Sequence, residues 1–163
     1  MKSTCENSFL QMVRQYESAI YKVCWMFAGK DKESVRDLYQ EIVLNLWKGY
    51  KNYYHDNKDY CWIYKISLNT AISNTRKKTF KAESLDKESD IVATTEEANT
   101  MEKLYELVHR LDPLEKSIIY LYLEQRSYRE IGTIIGISET NVGTKIQRIK
   151  EKLKRINDSI KIF

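Results

Sequence analysis

The sequence predicts an all-α fold of two small helical domains joined by a flexible acidic linker. Only five glycines and one proline occur in 163 residues, which is too few for the turns that short strands and hairpins need. Hydrophobic residues make up 42% of the chain and charged residues 31%, so there is enough apolar material for packed cores. Apolar residues recur at intervals of three and four, the spacing of one helix face.

Residues 1–80 are expected to form the first domain, built from three amphipathic helices. The second of these begins after Asp31, whose side chain can cap it, and Gly49 is expected to stop it. A polar and aromatic segment separates the second helix from the third. The three helices cover about residues 9–27, 33–47 and 62–78.

Residues 81–100 lose the helical periodicity and change in charge. Two lysines against six acidic residues give this segment a net charge of −4, a composition typical of a linker. Thr94 and Glu97 have the spacing of a capping box, and apolar residues recur again from Met101 onward. The second domain is therefore assigned to residues 101–163.

The helix that begins near residue 113 has the clearest start signal in the chain. Asp112 is placed as its N-cap, Pro113 occupies the first position, where a missing N–H costs nothing, and Glu115 completes a capping box. Its core face is expected to carry Ile118, Ile119, Leu121 and Tyr122.

Two further helices joined by a three-residue turn have the pattern of a helix-turn-helix. Ser127 begins an S-x-x-E capping pattern, Gly136 ends the first helix, and Ser138 caps the second, which extends to about Arg155. Gly132 is expected where the two helices approach most closely. An αα-hairpin that only packs is the alternative. The small core between the helices is assigned to Ile131, Ile135, Ile137, Val142 and Ile146.

The last helix has the charge of a DNA-binding element. From Glu139 to Arg155 six basic residues face two acidic ones, a balance of +4, although a solvated basic face would look similar. Its polar first half suits the major groove, and its lysine-rich remainder suits the phosphates. The candidate DNA contacts are Thr144, Lys145, Gln147 and Arg148, with Lys150 and Lys154 on phosphates.

A second basic cluster follows the third helix of the first domain and is preceded by several aromatic residues. Aromatic rings next to cations suit a nucleic-acid strand whose bases have been unstacked. A position in the core or at its rim is the alternative for the aromatic side chains. The cluster consists of Arg76, Lys77, Lys78 and Lys81, and the aromatic residues are Tyr53, Tyr54, Tyr60 and Trp62.

Three runs of sequence resemble the extracytoplasmic-function (ECF) sigma factors of bacterial RNA polymerase. DLYQEIVLNLW (37–47) and WIYKISLNTAISNTRKK (62–78) are similar to region two of that family. The run from Leu111 to Arg155, which begins LDPLEKSII and ends KEKLKR, is similar to region four. The order and spacing of these runs make the resemblance far more specific than a helix-turn-helix alone.

The resemblance implies that region two binds the β′ clamp helices of core RNA polymerase and captures the melted minus-ten element. Region four would bind the minus-thirty-five element of promoter DNA and the β flap. By position, polymerase contacts fall on Asp37, Gln40, Glu41 and Leu44, and minus-ten contacts on Trp62 and Asn69 with Arg76 and Lys77 beyond them.

Some family features stay open in this sequence. The minus-ten specificity loop corresponds to residues 55–60, where HDNKDY replaces the frequent glycine-containing version, so the selected base is not implied. The family also suggests an anti-sigma factor as a further partner. An acidic linker that mimics nucleic acid in the polymerase is a looser expectation.

No enzyme is expected. His55 and His109 stand alone, and the three cysteines are far apart and match neither a metal clip nor a disulfide framework. We therefore expect no metal, cofactor or small-molecule substrate. With no targeting or membrane-spanning pattern and a net charge of +4, a nucleic-acid-binding protein of the cytoplasm is the simplest interpretation. The alternative is a two-domain helix-turn-helix regulator that binds operator DNA without polymerase.

Overall fold

The computed structural model describes residues 2–29, 31–53, 59–82 and 96–161, and the side chains of 4–29, 31–53, 59–77 and 102–158. Across these ranges the chain forms helices and no strand, which confirms the all-α fold. Contacts divide the chain into two compact units, Met1–Asn74 and Thr75–Phe163. The helices are α1 (Lys2–Gln15), α2 (Glu17–Ala28), α3 (Lys32–Tyr50), α4 (Asp59–Ala82), α5 (Glu96–His109), α6 (Pro113–Leu123), α7 (Tyr128–Ile135) and α8 (Glu139–Lys161).

The helix expected over residues 9–27 is two helices, α1 and α2, and that expectation was wrong. Tyr16 separates them with φ −105° and ψ 11°, close to the sparsely allowed bridge region. Tyr16 is hydrogen-bonded to both helices: its N–H donates to the Met12 carbonyl, and its carbonyl accepts from the Ile20 N–H. Because the periodic apolar pattern continues through Tyr16, the sequence gives no sign of the break.

Helix α3 begins as expected and ends later than expected. The Asp31 carboxylate accepts a hydrogen bond from the Glu33 N–H at 3.2 Å, which confirms the N-cap. Gly49 does not stop the helix, because α3 continues through it to Tyr50. Gly49 instead lets a neighbour approach: a Cβ added there would lie 3.3 Å from the Trp62 ring.

The core of the first unit lies along one face of α3. Leu38, Ile42 and Leu46 are almost completely buried there. An aromatic cluster extends the core, since the Phe9 ring packs edge-on against Trp47 and Tyr50 with centroids 4.9 and 5.2 Å away. The other fully buried apolar side chains include Ile20, Val23, Ile63 and Leu68.

Helices α4 and α5 extend into the segment expected as a linker. Helix α4 covers Asp59–Ala82 rather than 62–78, and α5 already begins at Glu96. Residues 81–82 and 96–100 are therefore helical. The rest of the acidic segment and the Thr94 capping position lie outside the described residues, and so do Lys30, most of the 55–60 loop and the side chains of Lys78, Lys81 and Met101.

Local capping signals determine where the helices of the second unit start. Asp112 accepts a hydrogen bond from the Glu115 N–H at 2.8 Å, and the Glu115 carboxylate accepts one from the Asp112 N–H at 3.1 Å, which confirms the capping box. Ser127 caps α7 through the Glu130 N–H, and Ser138 caps α8 through the Asn141 N–H. Helix α8 then continues to Lys161, beyond the expected end near 155.

The turn between α7 and α8 depends on two glycines. Gly136 ends α7 with φ +88°, the left-handed conformation that favours glycine. A Cβ on Gly132 would lie 2.6 Å from the Ile137 carbonyl oxygen, so only glycine permits this approach of the two elements. Both glycine roles were predicted, and the helix-turn-helix geometry is confirmed.

The core between α7 and α8 differs in part from the predicted set. Ile131, Val142 and Ile146 are buried as expected. Ile135 and Ile137 are only half-buried, and Ile134 is buried instead. Ile135 and Ile137 flank the left-handed turn, which directs the chain away from the core between the helices.

Candidate nucleic-acid and partner interfaces

Helix α8 exposes a polar face on the side opposite its buried residues. Thr144, Gln147 and Arg148 are exposed there, as the sequence predicted for a DNA-reading surface. Thr140 and Asn141 are also exposed on the first turn of the same helix. They were missed, although their spacing of three to four residues from Thr144 was a usable signal.

Lys150 lies on one flank of α8 rather than beside Arg148. Because an α-helix advances about 100° per residue, these two side chains point about 160° apart. The Lys150 ammonium donates a hydrogen bond to the Tyr122 hydroxyl at 2.8 Å and lies 4.5 Å from the centre of that ring. The hydrogen bond with Tyr122 raises the pKa of Lys150. Exposed Lys154, seven residues after Gln147, lies on the same side of α8 as Gln147.

The opposite flank of α8 is tied to the start of α6. The Lys152 ammonium donates to the Glu115 carboxylate at 2.8 Å, on the same oxygen that caps the Asp112 N–H. A hollow of about 210 Å³ lies next to this pair, and half-buried Lys145 lines it together with Arg148. The six candidate residues of α8 thus divide between an exposed face and two flanks.

Helix α4 brings three of its four candidate residues onto one stripe. Trp62, Asn69 and Arg76 are seven residues apart, so they lie on the same side of the helix. Asn69 and Arg76 are exposed, and Lys65 is exposed between Trp62 and Asn69. Lys65 was missed by the sequence analysis. Lys77 is also exposed but points about 100° away from Arg76.

Trp62 is half-buried and packs within the first unit. Its ring stacks on Tyr53 at a centroid distance of 4.3 Å and an interplanar angle of 18°. Tyr53 also donates a hydrogen bond from its hydroxyl to the Asp59 carboxylate, at the start of α4. Trp62 therefore takes the position at the rim of the core that the sequence left open.

Helix α3 carries the four candidate polymerase contacts on a stripe outside the core. Asp37, Gln40 and Leu44 are exposed, and Leu44 has 51% of its surface accessible. Glu41 is half-buried, and its carboxylate accepts a hydrogen bond from the Asn74 amide of α4 at 3.5 Å. Three members of the stripe are therefore available to a partner, and Glu41 is shared with the packing of α3 on α4.

The described residues contain no group of three or more His, Cys, Asp and Glu side chains placed to hold a metal ion. The described helices also lack the length and apolar character needed to cross a membrane. Burial raises the pKa of the Cys24 thiol to about 12, so this thiol stays protonated at neutral pH.

Two models of known protein families match this chain. Residues 12–80 match the family model for sigma-70 region 2, and residues 101–153 match the model for sigma-70 region 4. The two models together account for most of the chain. Both fall where the sequence resemblance predicted them.

Characterised relatives narrow the match to one group of sigma factors. The chain is 26% identical to the ECF RNA polymerase sigma factor SigW of Bacillus subtilis, over 95% of this chain and 91% of that protein. It is 24% identical to the ECF RNA polymerase sigma factor SigE of Mycolicibacterium smegmatis, over 90% of this chain and 60% of that protein. The chain therefore belongs to the sigma-70 family, in the ECF group.

Solved structures share the fold at low sequence identity. CnrH, in complex with the cytosolic domain of CnrY, is 18% identical with a TM-score of 0.72, covering 94% of this chain and 90% of that one. The sigma factor RpoE from Bartonella quintana, in complex with the anti-sigma factor NepR, is 16% identical with a TM-score of 0.76, covering 93% and 97%.

Proposed function

We propose that this chain binds core RNA polymerase and directs it to specific promoters, with the chemistry of RNA synthesis left to the polymerase. The observation that supports this most is the pairing of a region 2 match with a region 4 match in one short chain. A helix-turn-helix alone would fit many regulators. The combination with a region 2 domain is typical of initiation factors.

In this proposal α8 reads the minus-thirty-five element. Its exposed face, centred on Thr144 and Arg148, enters the major groove, where arginine pairs with guanine. Lys154 would contact a phosphate beyond Gln147, and Lys150 would contact one from its position beside Tyr122. Phosphate contacts fix the register of the helix, and base contacts select the sequence.

The exposed stripe of α4 is proposed to hold the melted minus-ten strand. Exposed Asn69 would bind an unstacked base, while Lys65 and Arg76 would neutralise the backbone on either side of it. Lys77 points away from this stripe and would contact a phosphate beside it. Half-buried Trp62, stacked on Tyr53, would border the strand at the start of this stripe.

The stripe on α3 is proposed as the polymerase surface. Leu44 supplies an exposed apolar anchor, and Asp37 and Gln40 supply polar contacts around it. An apolar centre with a polar rim is the usual anatomy of a protein interface. Glu41 contributes to this surface and also to the packing against Asn74.

A gel-shift assay tests the function directly. Promoter DNA carrying both elements should be bound tightly only when core polymerase is added with the chain, and run-off transcription should then appear. The alternative, a helix-turn-helix regulator, predicts tight operator binding by the chain alone. Transcription that is the same with and without the chain would refute the proposal.

An anti-sigma factor is a further proposed partner. The CnrH and RpoE structures were determined with CnrY and NepR bound, and a similar inhibitor would keep this chain from the polymerase. Since bacterial polymerase and DNA share the cytoplasm, we place the action of the chain there.

A further inference from the structure

A cleft of about 480 Å³ opens in the first unit between the end of α2 and the first half of α3. It borders the proposed polymerase surface, because Arg36 lies one helical turn before Gln40 on α3. On α3, Lys32 and Arg36 lie about 110° around the helix from the middle of the polymerase stripe. The cleft is lined by Tyr21, Trp25, Gly29, Lys32, Val35 and Arg36.

One wall of the cleft is cationic. Lys32 and Arg36 are one helical turn apart, and neither forms an ion pair with another residue in the described ranges. Like charges at this spacing destabilise a helix. The nearby Asp31 carboxylate is already engaged by the Glu33 N–H and the Ser34 hydroxyl. Exposed Glu33 lies three residues before Arg36 and offsets part of this repulsion. An anion bound between the two cations would reduce the rest.

The other wall is aromatic and held in place. Tyr21 stacks on Tyr39 with centroids 4.5 Å apart and an interplanar angle of 18°, so one ring face is fixed while 46% of the residue stays exposed. Trp25 is half-buried one helical turn further along α2, and Val35 adds an apolar surface opposite it. Aromatic rings of this kind accept a planar, unsaturated ring by stacking.

We propose that this cleft binds a nucleoside phosphate. The base would stack against Trp25 and Tyr21, and the phosphate would lie between Lys32 and Arg36. Stacking on aromatic rings next to cations is the combination by which proteins hold single nucleotides. The volume is within the range of small-molecule sites. The nucleoside phosphate is either a free nucleotide or one nucleotide of a single strand. The cleft binds it without a chemical reaction.

The three tryptophans of the chain give three indole N–H signals in a ¹⁵N-labelled sample, and Trp25→Phe identifies one of them. The full chain is titrated with adenosine monophosphate, adenosine and inorganic phosphate. We expect a saturable shift of the Trp25 signal with the monophosphate. Adenosine alone and phosphate alone should each bind at least about tenfold more weakly. The signals of Trp47 and Trp62 should stay unchanged.

A short adenine oligonucleotide distinguishes the two sources. If the oligonucleotide shifts the Trp25 signal at a concentration about tenfold lower than the monophosphate does, the ligand is a strand. If it does not, the ligand is a free nucleotide. Both results support the site, since the recognised chemistry is the same.

Charge variants supply the second test. Lys32→Gln with Arg36→Gln should lower the affinity for the monophosphate about tenfold or more. Arg14→Gln with Lys48→Gln removes the same charge from exposed helix positions elsewhere in this unit and should bind like the unmodified chain. Three results would overturn the proposal. The first is equal binding by the two double variants, and the second is a Trp25 signal that does not move at about 10 mM monophosphate. The third is a response to phosphate alone that equals the response to the monophosphate. None of these results depends on polymerase or promoter binding.

Discussion

The Asn45 amide of α3 donates a hydrogen bond to the Thr70 hydroxyl of α4 at 3.0 Å. Thr70 is buried, and its hydroxyl in turn donates to the Ile66 carbonyl at 2.7 Å. The Glu41–Asn74 contact lies one helical turn away on both helices. Two polar contacts therefore set the register between the helix proposed to bind polymerase and the helix proposed to hold the melted strand.

Thr70→Val should destabilise the first unit by about 1–2 kcal/mol. The replacement keeps the shape but leaves the partly buried Asn45 amide without its acceptor. Thr70→Ser keeps the hydroxyl and should cost less. Urea unfolding monitored by circular dichroism measures both variants, and equal stability of the valine and serine proteins would mean that the Asn45 bond contributes nothing.

Gly132→Ala should destabilise the second unit by about 2 kcal/mol or more, because its Cβ would collide with the Ile137 carbonyl, which is backbone and cannot move aside. Gly143→Ala is the matched control. A Cβ there meets only the Tyr128 ring at 3.5 Å, an ordinary contact, so helix propensity should stabilise the protein by about 0.5–1 kcal/mol. Thermal unfolding of both variants checks the opposite signs.

Glu115 should make stability depend on pH in the acid range. Partial burial alone would raise the pKa of its carboxyl, but the hydrogen bonds from Lys152 and from the Asp112 backbone outweigh burial and leave the pKa below its ordinary value. A lowered pKa means stability that is present at neutral pH and lost as the pH falls through the folded-state pKa.

Glu115→Gln keeps the capping acceptor and removes the charge. Because Lys152 is more than a third exposed, the loss near pH 7 should be only about 0.5 kcal/mol, whereas Glu115→Ala should lose about 1–2 kcal/mol with the cap. The difference between wild type and Glu115→Gln should shrink as the pH falls below the ordinary pKa of a glutamate, and it should disappear below the lowered folded-state pKa. A difference that persists there would exclude the ion pair as its cause.

Leu44→Ala should weaken core polymerase binding by about 1 kcal/mol or more, because full burial of a leucine side chain contributes about 1.5–3 kcal/mol. Leu10→Ala is a close control, because Leu10 is 50% exposed and Leu44 is 51% exposed. Fluorescence anisotropy with labelled chain and purified core enzyme measures both. An equal effect of the two substitutions would remove α3 from the proposed polymerase surface.

Lys154→Gln should lower the dependence of DNA binding on salt. Loss of one phosphate contact reduces the slope of log K against log salt by about 0.9 and leaves sequence preference unchanged. Lys103→Gln, at an exposed position of α5, should leave the slope unaltered. Binding by the polymerase complex is measured over a range of salt, and a change in sequence preference would mean that Lys154 reads a base.

The sequence by itself determined the helical class, the helix-turn-helix and most helix starts. The capping box at Asp112, the N-caps Asp31 and Ser138 and the left-handed Gly136 were all predicted correctly. Each depends on residues within about four positions of one another, so the interaction is written in the local sequence. The family match followed from the same local patterns in order.

The tertiary structure decided how those helices use their faces. Gly49, expected to end α3, lies inside the helix and lets Trp62 approach closely. The Lys150 ammonium, expected at a phosphate, donates a hydrogen bond to the Tyr122 hydroxyl. The Glu41 carboxylate accepts one from the Asn74 amide. The tertiary structure also brought α2 and α3 together around the aromatic and cationic cleft. These contacts join residues far apart in the chain, and periodicity shows which face of a helix is buried but not which neighbour covers its edges.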